Sequence, residues 1–212
     1  MNVIGLDLSL NGTGISVGDN TNFTQVGNPA LGDRRLWAIQ DVVRYYATCG
    51  EVMGRADLAV IEGLPFGNND RSVALVHGAV RAVLAGLDVP FAYVYPTTLK
   101  VFATGDSKAG KTEMMAAAVA LGANARIDSD QADAWWLRRM GLVALSGGRG
   151  AAEHQAHALS VVDWPLDLVA PYGAISARRP VTKKCGHKVI ALRNGGEWLH
   201  PFTVDRCDKP PK

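Results

Sequence analysis

Short apolar runs and helically spaced apolar stripes alternate along the chain, a pattern that is typical of an α/β protein. The first run, residues 2–10, is apolar on both sides of Asp7. A strand of this kind is usually covered on both faces, so we expect it in the middle of a sheet. A tight turn at 11–14 and strands at 14–18 and about 23–26 predict an antiparallel meander after it.

Strand and helix patterns then alternate, which predicts parallel crossover connections. A short buried-type strand at 58–62 ends in Glu62, a helix is expected at 71–85, and another strand at 89–95. Three meander strands and two crossover strands predict a mixed five-stranded sheet with helices on its faces. The other helices are predicted at about 34–49, 97–103, 111–121 and 129–144, with a short one at 151–159.

The composition describes a soluble globular protein, because 48% of the 212 residues are hydrophobic and 20% are charged. No run of about 18 uncharged apolar residues occurs, so we expect no membrane span. Asp7 falls where the apolar core of a secretion signal would lie, and three scattered cysteines are too few for a disulfide framework. We therefore expect a reducing, cytoplasmic setting. The net charge of +2 does not indicate a nucleic-acid partner, so such an interface must rest on local basic patches.

A glycine-rich joint at residues 147–150 separates the main domain from the rest of the chain. We predict a domain at 1–146, then a linker with a short helix and a basic connector at 147–184. A small hairpin is expected at 185–212, turning at residues 194–196.

Two thiols and two imidazoles lie at the ends of this hairpin, on Cys185, His187, His200 and Cys207. Such ligands suit a tetrahedral structural Zn²⁺ site, and so short a hairpin has too little core to fold alone. The spacing is not a standard paired Cys-x-x-Cys pattern. The alternative is therefore a hairpin that docks on the main domain and carries Cys and His incidentally, although the sequence favours zinc.

Four carboxylates are candidates for one site, since the predicted elements bring them towards one end of the sheet. Asp7 lies on the central strand and Glu62 ends another strand. Asp130 and Asp133 are three residues apart on one face of a helix's first turn, although an acid there also suits the helix dipole. Acids this close cannot all remain ionised without cations, and oxygen ligands favour Mg²⁺ or Mn²⁺. Two such ions would suit phosphodiester hydrolysis.

Four segments in register carry a resemblance to a known family. They are Ile4-Gly5-Leu6-Asp7 followed by Thr13-Gly14, Ala59-Val60-Ile61-Glu62, Tyr95-Pro96-Thr97-Thr98-Leu99-Lys100, and Asp130-Gln131-Ala132-Asp133-Ala134. Over about residues 1–145 the chain resembles the RuvC-type Holliday junction resolvases. The resemblance implies an RNase H-like fold and makes the four acids metal-binding catalytic residues. It also implies symmetric, magnesium-dependent cleavage of four-way DNA junctions by a homodimer.

The same resemblance suggests further functional residues. In the family an aromatic side chain in the loop after the second acid works at the junction centre, and Phe66 is the candidate here. Lys100 and Lys111 resemble lysines that face DNA phosphates, and Lys108 lies in a glycine- and lysine-bearing loop that faces DNA in the family. The helix predicted at 71–85 corresponds to the family's dimer contact.

Residues 105–112 also match the phosphate-loop pattern, as Gly105-Asp106-Ser107-Lys108-Ala109-Gly110-Lys111-Thr112. An ATPase is therefore the alternative enzyme class. That mechanism needs a buried strand leading directly into the loop, whereas residues 97–103 are polar at their start and follow Pro96. The family resemblance instead implies a DNA-facing loop at this place. A protein that binds branched DNA without cutting it is the non-enzymatic alternative.

Overall fold

The computed structural model describes residues 1–18, 22–26, 28–49, 54–64, 71–165, 181–182 and 188–189. The chain divides into two compact units, Met1–Tyr172 and Gly173–Lys212. The strands of the first unit are β1 (Val3–Asp7), β2 (Gly12–Ser16), β3 (Asn22–Val26), β4 (Leu58–Glu62) and β5 (Phe91–Val94). Its α-helices are α1 (Arg35–Cys49), α2 (Arg71–Gly86), α3 (Pro96–Thr104), α4 (Lys111–Ala120), α5 (Ser129–Leu145) and α6 (Glu153–Ser160).

The five strands form one mixed sheet in the order β3-β2-β1-β4-β5. Strands β1, β2 and β3 pair antiparallel, as the predicted meander requires, whereas β1, β4 and β5 pair in parallel. Strand β1 therefore lies in the centre. The predicted α/β fold with a five-stranded mixed sheet is confirmed.

Helices cover both faces of this sheet, because the strands are apolar on both sides. Ile4, Leu6 and Ile61 pack on one face with α1 and α2. Val3 and Val60 pack on the other face with α3, α4, α5 and α6. Burial on both faces explains why β1 and β4 are continuous apolar runs rather than alternating ones.

Helix α5 lies unusually close to β1, and glycines make this approach possible. A Cβ atom on Gly5 would collide with the carbonyl oxygen of Ala134 and lie 2.6 Å from the amide nitrogen of Arg138. One on Gly14 would collide with the carbonyl oxygen of Asp130. Both obstacles are backbone atoms, so neither could move aside without displacing the helix.

The turn between β1 and β2 comes earlier than the sequence predicts. Strand β2 begins at Gly12 and pairs Gly14 with Asp7, so these glycines are strand residues rather than turn residues. The preceding turn is closed by Ser9 and Thr13, since the Thr13 hydroxyl donates to the Ser9 carbonyl at 2.6 Å. Gly14 lets α5 pack closely on the sheet, a role that a local turn pattern does not reveal.

Helix α6, which the sequence assigns to a linker, is part of the first unit. Ala158 and Leu159 are buried in the core beside α3, and the Gln155 side chain donates to the carbonyl of Phe102 at 3.3 Å. In the second unit, the described residues form an antiparallel pair between β6 (Val181–Thr182) and β7 (Lys188–Val189). The predicted turn at 194–196 lies outside the described residues.

In the described part of the chain, every helix is too short or too polar to cross a membrane.

Replacing Gly5 with alanine tests the importance of the α5 contact. We expect Gly5→Ala to lower the free energy of unfolding by about 3 kcal/mol, because the new methyl group meets fixed backbone atoms. The control is Gly78→Ala in α2, where a Cβ would meet nothing within 4 Å. Chemical denaturation should show Gly78→Ala to be neutral or more stable by roughly 0.5–1 kcal/mol. Equal stability of the two variants would contradict the close-contact interpretation.

Candidate active site

The adjacent strands β1 and β4 end in two acids, Asp7 and Glu62. Because the strands are parallel and Leu6 pairs with Ile61, both acids emerge at the same edge of the sheet. Their carboxyl groups share a hydrogen bond. We call the end of the sheet marked by Asp7 and Glu62 the acid edge.

Helix α5 brings Asp130 and Asp133 to the acid edge, because it begins there and runs back along β1. The backbone of Asp130 lies against Gly14, opposite Asp7, whereas Gly141 near the helix end lies against Val3. A Cβ on Gly12 would lie 3.2 Å from the Oδ2 atom of Asp130. Gly12, the first residue of β2, therefore leaves space for the Asp130 carboxylate.

The four acids interact strongly enough to be one group, which we call the acid cluster. Burial, then the charge of Asp7 and the hydrogen bond to it, raise the pKa of Glu62 to about 9. Burial also raises the pKa of Asp133 to about 7, with further contributions from Asp7 and Asp130. For Asp7, burial and the Asp130 charge outweigh the hydrogen bond from Glu62 and raise its pKa to about 6. At neutral pH, Glu62 therefore holds a proton and donates it to the Asp7 carboxylate.

Two predicted lysines lie near this cluster. Lys111 lowers the pKa of both Asp7 and Asp133, and Lys100 lowers that of Glu62 and Asp133. These effects require the ammonium groups to approach the carboxylates. The acid cluster therefore has lysine ammonium groups beside it. This arrangement suits an anionic substrate that would contact metal ions held by the carboxylates.

The sequence did not identify Ser129, which connects a lysine to an acid. Its hydroxyl accepts a hydrogen bond from the Lys111 Nζ atom at 3.4 Å and donates to the Asp130 Oδ1 atom at 3.1 Å. Helices α4 and α5 are thereby joined at their first residues. The available signal was a hydroxyl residue directly before a predicted acid.

Asp128 caps α5 and also ties the helix to the sheet. Its carboxylate accepts hydrogen bonds from the backbone nitrogen of Gln131 at 2.8 Å and from the Thr24 hydroxyl at 3.0 Å. Thr24 lies on the edge strand β3. The link fixes the start of α5, and hence Asp130, relative to the meander.

The donor chemistry of the acid cluster fits a hard divalent cation. All its donors are carboxylate oxygens, which Mg²⁺ and Mn²⁺ prefer. A cation would offset the burial and mutual repulsion that raise the pKa values of Asp7, Glu62 and Asp133. Across the described ranges, no three acidic, His or Cys side chains already converge into a metal-ligand group.

Residues 105–112 do not have the surroundings of a phosphate-binding loop. The loop follows helix α3, where the nucleotide-binding mechanism requires a strand. Gly105 ends that helix with a left-handed conformation, φ 82°. At the start of α4, the Gly110 amide donates to the Glu113 carboxylate at 2.7 Å. The helix terminus that would hold a phosphate is thus occupied by an internal anion.

The remaining predicted site residues are dispersed or outside the described residues. Lys108 is exposed in the loop before α4, where its amide donates to Asp106 at 2.8 Å, and it is not one of the cations that act on the acid cluster. Phe66 lies outside the described residues, as do Cys185, His187, His200 and Cys207. The aromatic wedge and the zinc site stay predictions.

The raised pKa values predict how stability depends on pH in a chelating buffer. A carboxyl group whose pKa is higher in the folded state than its unfolded value, about 4, favours folding when protonated. That contribution is complete below pH 4 and is lost as pH rises through about 6, 7 and 9, the pKa values of Asp7, Asp133 and Glu62. Denaturation curves should therefore show that the protein's free energy of unfolding falls between pH 5 and 9.

Glu62→Gln should flatten the alkaline part of that curve and stabilise the protein by about 1 kcal/mol or more at pH 8. Glu153→Gln, which changes an exposed carboxylate at the start of α6, is the matched control. A Glu62→Gln variant that is no more stable than the control at pH 8 would show that the Glu62 carboxyl group does not oppose folding at that pH.

Comparisons with known proteins agree with this architecture. No family model matches the chain, and no curated protein matches it in sequence. Among solved structures, Thermus thermophilus RuvC is similar with a TM-score of 0.57 and 21% identity, covering 70% of this chain and 98% of that protein. T. thermophilus RuvC in complex with a Holliday junction substrate gives a TM-score of 0.58 and 20% identity, covering 70% and 97%. The chain therefore has the fold of RuvC over about 70% of its length.

Proposed function

We propose that this protein is a divalent-metal-dependent endonuclease that resolves four-way DNA junctions. The observation that carries the proposal is the acid cluster, four carboxyl groups whose burial and mutual repulsion raise the pKa values of three of them. Buried carboxylates that destabilise one another are typical of functional sites. The fold is shared with T. thermophilus RuvC, for which a complex with a Holliday junction substrate is known.

Asp7, Glu62, Asp130 and Asp133 would hold Mg²⁺ or Mn²⁺ in this proposal. The bound ions would supply an activated water and stabilise the leaving oxygen of a phosphodiester. The chain's own contribution is to hold the carboxylates in place, through the ends of β1 and β4 and the first turn of α5. Loss of the proton on Glu62 must accompany metal binding, so metal affinity should rise with pH.

The lysines of the acid edge would bind the substrate's phosphates. Lys100 and Lys111 already act electrostatically on the carboxylates, so a phosphate at the cluster lies within their influence. Ser129 would hold Lys111 against Asp130, coupling the phosphate contact to one metal ligand. Lys108, one loop away, would extend the basic surface along the DNA.

A homodimer would match the two-fold symmetry of a four-way junction. Helix α2 is our candidate for the contact, as the resemblance implies. Its buried residues Val76, Val80 and Leu84 pack into the domain, so they are not available to a partner. Leu75 on the same helix is 53% exposed and could contribute to the dimer contact.

Cleavage of a synthetic four-way junction in Mg²⁺ tests the proposed function. We expect paired, symmetric nicks on the junction and none on a linear duplex of the same sequence. Asp133→Asn should abolish cleavage yet retain junction binding, since it removes one proposed metal ligand from an otherwise intact fold. Cleavage that survives in Asp133→Asn would defeat the assignment of the acid cluster. Junction binding without cleavage by the unmodified protein would favour a non-cleaving DNA-binding protein.

Ser129 offers a finer test of the same site. We expect Ser129→Ala to lower the cleavage rate about fivefold, the equivalent of one hydrogen bond of roughly 1 kcal/mol, with little change in junction affinity. Ser129→Thr keeps the hydroxyl and should restore most of the rate. Single-turnover kinetics separates the cleavage rate from affinity. If Ser129→Thr is as slow as Ser129→Ala, the hydroxyl link has no role in cleavage.

A further inference from the structure

Helix α1 exposes a tryptophan near the acid edge that no role described so far explains. The buried stripe of this helix is Ile39, Val43 and Ala47. Trp37 lies off that stripe and is 64% exposed, whereas Trp135 and Trp136 are almost fully buried in the core. A single exposed apolar residue is ordinary by itself, so its surroundings decide its significance.

Two arginines precede this tryptophan, and the structure fixes one of them. The Arg35 Nε atom donates to the Gly32 carbonyl at 3.0 Å, and its Nη1 atom donates to the Asn11 side chain at 2.7 Å. These two bonds hold the guanidinium in one orientation. Arg34 is exposed beside it. We call Arg34, Arg35 and Trp37 the α1 patch.

The partner of Arg35 locates the α1 patch next to the acid cluster. Asn11 lies in the turn between β1 and β2, four residues after Asp7. The next residue, Gly12, comes so close to the Asp130 carboxylate that a Cβ there would lie 3.2 Å from its Oδ2 atom. The Arg35 guanidinium is therefore bonded to Asn11, and the residue that follows Asn11 lies against the Asp130 carboxylate.

We propose that the α1 patch binds unpaired nucleotides of a branched DNA next to the point of cleavage. The inference rests on the proposed function, which brings DNA to the acid edge. An exposed indole face stacks on nucleobases, and guanidinium groups bind phosphates bidentately. Bases within a duplex are already stacked on one another, so the indole requires a base that is unpaired.

The charges around the α1 patch favour a single strand over a duplex. Asp33 precedes Arg34, and Asp41 follows Trp37 by one helical turn; both are exposed. These two acids flank the adjacent arginines with negative charge. The two arginines and the indole fit one nucleotide strand that leaves the acid edge. A duplex is broader, so its phosphates would also lie near the carboxylates of Asp33 and Asp41.

DNA binding by the full chain tests this inference separately from cleavage. The protein carries Asp133→Asn and is studied in a chelating buffer. The probes are a fully paired four-way junction, a fork with two unpaired thymidine arms, and the unpaired thymidine strand alone. We expect Trp37→Ala to weaken binding to the fork and to the single strand by roughly tenfold or more, and to leave the fully paired junction nearly unchanged.

Tyr45→Ala is the matched control, because Tyr45 is 59% exposed on the same helix two turns further from the acid edge. It should leave all three affinities unchanged. Trp37→Phe, which keeps an aromatic face, should recover most of the affinity lost in Trp37→Ala. Arg34→Gln should weaken fork binding and reduce its dependence on salt.

The results distinguish failure of this inference from failure of the proposed function. Trp37-dependent binding of unpaired DNA would stand even if the unmodified protein cut no junction, and would then mark a single-strand-binding surface. If Trp37→Ala binds every probe as Tyr45→Ala does, the α1 patch does not contact DNA, whatever the protein cleaves. An equal loss on paired and unpaired probes would also overturn the inference.

Discussion

The contact between helix α5 and the first two strands determines where Asp130 and Asp133 lie relative to Asp7. Glycines at positions 5 and 14 let the helix backbone rest on the sheet, at a distance that a single methyl group would prevent. On its other side, the helix is held by buried tryptophans, and the Trp136 indole donates to the Met114 carbonyl at 3.1 Å. Packing on both sides therefore fixes the first turn of α5 at the ends of β1 and β4.

The site is stable because the hydrophobic core compensates for its repulsion. Carboxyl groups whose pKa values are raised by burial and by one another's charge oppose folding at neutral pH. Apolar burial on both faces of the sheet opposes this effect, at about 1.5–3 kcal/mol for each fully buried large aliphatic side chain. Fully buried residues such as Leu6 and Ile61 lie directly beside the acids in sequence. The same two strands thus supply core residues along their length and an acid at their end.

Much of this arrangement could be predicted from the sequence, because it is expressed in local patterns. Continuous apolar runs revealed β1 and β4 as central strands, and the carboxylates stood out as polar residues at their ends. Thr24 and Arg35 could not be found this way, since their roles depend on partners distant in the chain; Thr24 and Asp128, for example, are 104 positions apart. Ser129 carried only a weak signal, a hydroxyl residue directly before a predicted acid, because its lysine partner lies 18 positions away.

The acid cluster combines residues from the first strand and from a helix more than 120 residues later. During synthesis on the ribosome, Asp7 and Glu62 emerge long before Asp130 and Asp133. The glycines of β1 and β2 stay uncovered until α5 arrives, so a partly synthesised chain has a sheet without its closing helix. A nascent chain therefore cannot assemble the cluster, and any activity of this site begins only after the main domain has been completed.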